Sequence, residues 1–161
     1  MIATFAVALV LTPALALAPS AGAAAHGPWA TVNVCDTVGH PDGIGIRGAM
    51  PGGGPGVRLF MRFVVQYRGP GGRWRPVGAA GDSGWVGAGS AGVRGTRQAG
   101  QTFTVQPPAS GGAYLLRGAV RFQWRRGKAV VRRARVLTRA GHPGSAGADP
   151  PNYSAATCVV R

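Results

Sequence analysis

The residues best placed to do chemistry are arginines. Arg117, Arg121 and Arg125 recur at every fourth position within Ala113–Arg139, and Arg126, Lys128, Arg133, Arg135 and Arg139 follow in the same stretch. In an extended chain a four-residue step keeps side chains on one face, about 13 Å apart. Such a row offers permanently charged, planar forks that match phosphate, sulfate or carboxylate oxygens. The chemistry expected of the set is recognition of an anionic polymer. Like charges on one face also repel, so the row either relies on solvent screening as a plain solvated surface or is kept for an anionic partner. Sequence alone leaves both readings open.

Nucleophiles are less convincing. Gly81-Asp82-Ser83-Gly84 resembles the nucleophile loop of chymotrypsin-like proteases, which needs a His base and an Asp behind it, in the chain order His, Asp, Ser. His40 and Asp42 precede Ser83, but they lie two residues apart on one loop, with no separate element to bring the carboxylate behind the imidazole. Trp85 stands where the family motif has its second glycine. A small serine hydrolase at Ser83 is therefore the weakest functional reading. Ala88-Gly89-Ser90-Ala91-Gly92 lacks the strand-to-helix context of a hydrolase elbow. Gly43-Ile44-Gly45-Ile46-Arg47-Gly48 spells a dinucleotide fingerprint, yet Met50-Pro51-Gly52-Gly53 cannot continue as the helix that would hold the phosphate. Asp36, His40, Asp42 and His142 have no metal-ligand spacing. No metal, cofactor or catalytic residue is expected.

The elements that must carry the arginines are strands. Leu116, Gly118, Val120, Phe122 and Trp124 alternate with Leu115, Arg117, Ala119, Arg121, Gln123 and Arg125, the period of a sheet with one buried face. This phase puts Phe122 and Trp124 in the core, away from any base-stacking role. A second strand follows from Ala129. A three-residue loop, Arg126-Gly127-Lys128, pairs Trp124 with Val130 and Val120 with Ala134, and turns only Arg132 inward; a two-residue turn without a bulge would bury Arg133 and Arg135. The odd loop is expected, with a bulge as the other way to keep phase. Further strands are expected over Trp29–Thr37, Ile44–Met50, Arg58–Arg68, Arg73–Val77, Gln101–Gln106 and Tyr153–Val160, with a short one near Trp85 and Val86. No ten-residue window shows a capped helical period. The expected fold class is all-β: one antiparallel sandwich of about 7–9 strands with Gly/Pro-rich loops.

Composition agrees with an exported, strongly basic domain. The 161 residues carry a formal charge of +14, with Asp36, Asp42, Asp82 and Asp149 as the only acids. All basic residues except Lys128 are arginine. GC-rich codon usage accounts for Arg over Lys but not for the scarcity of acids, so contact with polyanions is favoured, the candidates being nucleic acid, a wall polymer, an anionic glycan or anionic lipid heads. Residues 1–25 read as a signal peptide: an apolar run over Ile2–Leu17, then small residues offering cleavage after Ala23 or Ala25, although no basic residue precedes the run. Residues 26–161 then form the single domain. Its two cysteines, Cys35 and Cys158, are expected to form a disulfide closing nearly the whole domain. No second apolar segment is long enough to span a bilayer. The expected location is secreted or cell-wall associated, and the expected partner an anionic polymer or a cell-surface protein.

Gln101–Trp124 resembles the E-to-F region of immunoglobulin-like and fibronectin type III sandwiches. Thr102-Phe103-Thr104-Val105 matches an E strand, Pro107-Pro108 the turn, and Tyr114 the tyrosine-corner position opening an F strand. With its Trp124-to-Lys128 hairpin and a cysteine near each end, the chain is similar to secreted Ig-like proteins of high-GC bacteria. It departs from antibody domains, because Cys35 and Cys158 sit in terminal strands rather than on B and F. The resemblance implies a fold and a non-enzymatic surface module, with no particular activity.

Overall fold

In the computed structural model, residues 27–109 and 111–161 are described; the expected signal segment and His26 lie outside them. Among the described residues nine strands are formed: β1 (Trp29–Thr37), β2 (His40–Pro51), β3 (Val57–Arg68), β4 (Trp74–Pro76), β5 (Val86–Gly89), β6 (Thr96–Thr104), β7 (Tyr114–Arg126), β8 (Ala129–Leu137) and β9 (Cys158–Val160). They build two antiparallel sheets. One has the order β1-β2-β6; the other runs β4-β3-β7-β8, with β5 also on β3 and β9 also on β7. The fold is a two-sheet antiparallel β-sandwich, with β6 and β7, the strands expected to correspond to E and F, in opposite sheets.

The core forms where the two alternating patterns face each other. Leu59, Met61, Phe63 and Val65 of β3 and Leu116, Val120, Phe122 and Trp124 of β7 are buried against Val32, Ile44, Ile46, Met50 and Phe103 of the other sheet. The indole N–H of Trp124 donates to the Pro51 carbonyl at 2.8 Å, so its burial leaves no donor unpaired. Gly118 occupies a place where a Cβ would lie 2.7 Å from Thr138 Cγ2 and 2.8 Å from Ile46 Cδ1. A side chain there would force the sheets apart, which explains the gap in the apolar row.

The hairpin register differs from the expected one in an instructive way. Arg126 pairs with Ala129, so the turn has two residues, Gly127 and Lys128, with Gly127 at φ 56°. A two-residue turn with a positive φ at its first central residue matches the right-handed twist of the flanking strands, which ordinary type I or II turns would splay. A bulge between Trp124 and Arg125 then shifts the ladder, giving Trp124–Arg132, Phe122–Ala134 and Val120–Val136. The inserted residue restores the phase, so Ala134 and Val136 still pack on the core while Arg133 and Arg135 face out. Arg132 does turn inward. It stays exposed at the open end, its guanidinium 4.5 Å over the Trp124 ring.

β8 and β9 are one strand line interrupted. β8 pairs with residues 119–126 of β7, and β9 resumes the same edge at Tyr114–Leu116. Between them residues 138–157 leave the sheet, so the expected strand over Tyr153–Val160 shrinks to its last three residues. Thr138 caps the break: its Oγ1 accepts from Gly118 N at 3.0 Å and donates to the Ala156 carbonyl at 2.6 Å. The excursion crosses the outer side of the three-stranded sheet. Asn33 Nδ2 donates to the Ala146 and Gly147 carbonyls, Gln98 Oε1 accepts from Ala146 N, and Val32 exchanges backbone bonds with Ala155. One outer face of the sandwich is thereby covered by chain. The other is bare.

Candidate anion-binding face

The bare face is the outer side of the six-stranded sheet, and antiparallel pairing decides which residues meet on it. Arg62 of β3 lies opposite Arg121 of β7, which lies opposite Arg135 of β8. The next row joins Phe60, Gln123 and Arg133; beyond it Arg58 faces Arg125, and at the other end Gln66 faces Arg117. Three arginines side by side cost stability unless each finds compensation.

Compensation is uneven. Arg62 is held by Asp82 through Nε–Oδ1 at 2.7 Å and a second Nη2–Oδ2 contact. Arg117 stacks over Trp74 at 4.2 Å while its Nε donates to Gln66 Oε1 at 2.9 Å. Arg125 lies 4.1 Å from the Phe60 ring and 5.2 Å from that of Trp85, with its Nε donating to Gln123 Oε1 at 2.8 Å. Stacking on aromatic faces fixes a guanidinium without neutralising it. Arg121, Arg133 and Arg135 are exposed and make no hydrogen bond or ion pair among the described residues. Burial, and then the nearby Arg135 charge, lower the Arg117 pKa from its usual value. The face is thus a crowded field of positive charge, partly braced and partly free.

Two shallow grooves cross it. One, of about 510 Å³, runs over Arg121 and Gln123 between Trp85 and the β8 pair Arg133 and Arg135. The other, of about 620 Å³, is lined by Trp74, Arg117, Arg135 and Arg139. Arg135 belongs to both. Of the eight basic residues expected to act together, Arg117, Arg121, Arg125, Arg133, Arg135 and Arg139 do share this region. Arg126 and Lys128 do not: Arg126 lines a separate end pocket with Val57, Val93 and Trp124, and Lys128 sits on the turn. The sequence reading omitted Arg58, Phe60, Arg62, Trp74 and Trp85. The period of two in β3 already set Arg58, Phe60 and Arg62 on one face, but only the β3–β7 pairing shows that it is the same face.

Asp82 is the single acid here, and it yields a first prediction. Its carboxyl is held below the usual carboxylate range, chiefly by the hydrogen bond from Arg62, aided by Gly84 N–H and the Arg62 and Arg121 charges and opposed by burial. A depressed folded pKa adds stability that is present above the unfolded value, about 3.9, and lost as pH falls through the lower folded one. Asp82→Asn should therefore flatten the decline of the melting temperature below about pH 4, measured calorimetrically.

The other sequence candidates are accounted for structurally. Ser83 Oγ accepts from Phe63 N at 2.9 Å and donates to the Gly84 carbonyl at 2.8 Å, pinning the loop to β3. His40 starts β2 in the opposite sheet, and His142 stacks on Trp29 with ring centroids 4.3 Å apart. Asp36 Oδ1 accepts from Asp42 N. Among the described residues no three His, Cys, Asp or Glu side chains gather to hold a metal ion, and no helix is long and apolar enough to cross a membrane. Gly43 to Gly48 lie within β2, with no helix after them. Ser90 offers its carbonyl to Arg97 Nε. Tyr114 packs edge-on against Tyr67, centroids 5.9 Å apart, and makes no bond to the preceding turn among the described residues. Compared with family models, curated proteins and solved structures, the chain matches none.

Proposed function

We propose that this chain is an exported, non-catalytic binding module that holds an anionic polymer on the bare face of its six-stranded sheet, at the cell surface or wall. The observation that carries the reading is the row Arg62–Arg121–Arg135, three like charges placed opposite one another with only Asp82 to offset them. A face selected for solubility alone gains nothing from this arrangement. An oxyanion polymer lying along β7 would relieve the repulsion and gain counterion release. Export is supported by the Cys35–Cys158 disulfide, a bond that persists in oxidising compartments.

The test is salt. If Arg117, Arg121, Arg133, Arg135 and Arg139 each neutralise a phosphate, the slope of log K against log salt for a single strand is about −3.5. Raising salt from 50 to 200 mM should then weaken binding about a hundred-fold. Binding that is negligible at 50 mM, or insensitive to salt, would remove the polyanion reading. It would leave a structural wall module, for which a surface-protein partner would be sought by pull-down.

A further inference from the structure

Building on that reading, we infer that the polymer is a single-stranded nucleic acid, with one unstacked base lying on Trp85 and its neighbouring phosphates on Arg121, Arg133 and Arg135. Each of the other aromatic rings of this region is already engaged. Trp74 carries Arg117, Phe60 carries Arg125, and Trp124 is buried beneath Arg132. Trp85 also has Arg125 nearby, but it is the most exposed ring of the set, at 36%, and it forms one wall of the 510 Å³ groove whose opposite wall is Arg133 and Arg135. Arg125, 5.2 Å from the ring centroid, can occupy only one side of the indole.

An exposed ring facing a wall of unpaired guanidinium groups is the combination that binds nucleic acid strands: a π-face for the base and cations for the backbone. The groove volume falls in the range of small-ligand sites, about 300–1,000 Å³, so it admits a flat ring together with its phosphate. A duplex keeps its bases stacked and offers none to Trp85, whereas a single strand can splay one out. Linear polyphosphate satisfies the arginines and leaves the indole bare. Sulfated glycans have no aromatic face to stack on it.

The experiment compares oligo(dT) with linear polyphosphate on the oxidised full chain at 0.1 M salt, using wild type, Trp85→Ala and Trp85→Phe. The expected result is about a ten-fold loss of oligo(dT) affinity for Trp85→Ala, with most of it regained in Trp85→Phe, while polyphosphate binding changes less than about two-fold. Oligo(dT) should also quench tryptophan fluorescence in wild type more than in Trp85→Phe. An equal loss for both polymers would show that the ring only braces Arg125, and no loss for either would show that it touches nothing; both overturn the inference and spare the arginine face. If wild type binds neither polymer, the arginine-face reading fails and takes this one with it.

Discussion

Replacing Arg121, Arg133 and Arg135 together by alanine should cost about a hundred-fold in affinity for a single-stranded polyanion at 0.1 M salt while leaving the fold as stable as before, or more so. The size follows from counterion release. Each lost phosphate contact removes about 0.7 from the salt slope, which at 0.1 M is about 0.7 log units of affinity; three give about two. The opposite sign for stability follows from the ladder. Arg121 faces Arg135 directly, and none of the three has a hydrogen bond or close ion pair to lose; the longer-range attraction of Arg121 to Asp82 is minor beside the direct Arg62–Asp82 pair. Removing like charges opposite each other relieves up to about 1 kcal/mol per pair. Filter binding at several salt concentrations, read beside a thermal melt of the same samples, checks both signs at once. A triple variant that binds as wild type does would place the cation site elsewhere, the end pocket of Arg126 being the first to examine. One that melts markedly lower would mean that these arginines serve the fold.

Much of the sandwich was legible because period-two alternation is a local property. Met61-to-Tyr67 and Leu116-to-Trp124 announced two half-buried strands, and the same phase sent Arg117, Arg121 and Arg125 outward. Three things were not legible, each for a non-local reason. The hairpin register depended on a bulge beyond the turn, which the tip sequence Arg126-Gly127-Lys128 does not encode by itself. Thr96–Gly100 lies outside the strand expected over Gln101–Gln106, yet it belongs to β6, because Arg47 to Pro51 of β2 supply it with a ladder. The aromatic braces Trp74 and Trp85 lie on short edge segments with too few residues to show a period. Their place on the face is set by pairing with β3 and by the Asp82 turn. The candidate site was thus half visible: its charges on β7 and β8 could be read from the hairpin sequence, its β3 arginines and aromatic walls only from the pairing of the strands.

The second large effect expected is on stability, from the Cys35–Cys158 bond. The bond ties β1 of one sheet to β9 of the other across a sequence separation of 123 residues. In the chain-entropy account a loop of that length raises the free energy of the unfolded state by about 4–5 kcal/mol. Against a total stability of about 5–15 kcal/mol, Cys35→Ser with Cys158→Ser should lower the melting temperature by about 15 °C, and reduction of wild type should do the same. The loss should not spread evenly. β9 holds only three ladder positions on β7, and the 138–157 excursion reaches it through Thr138, Asn33 and Val32 contacts. Without the covalent tie, amide exchange should accelerate first in residues 138–160, while β3 and β7, buried on their shared inner face, keep their protection. A double variant that melts within about 2 °C of wild type would show that the backbone bonds of the excursion suffice to hold the strand. Uniform acceleration through β3 and β7 would instead mean that the excursion and the core open as one unit, with the disulfide guarding the whole sandwich rather than its seam.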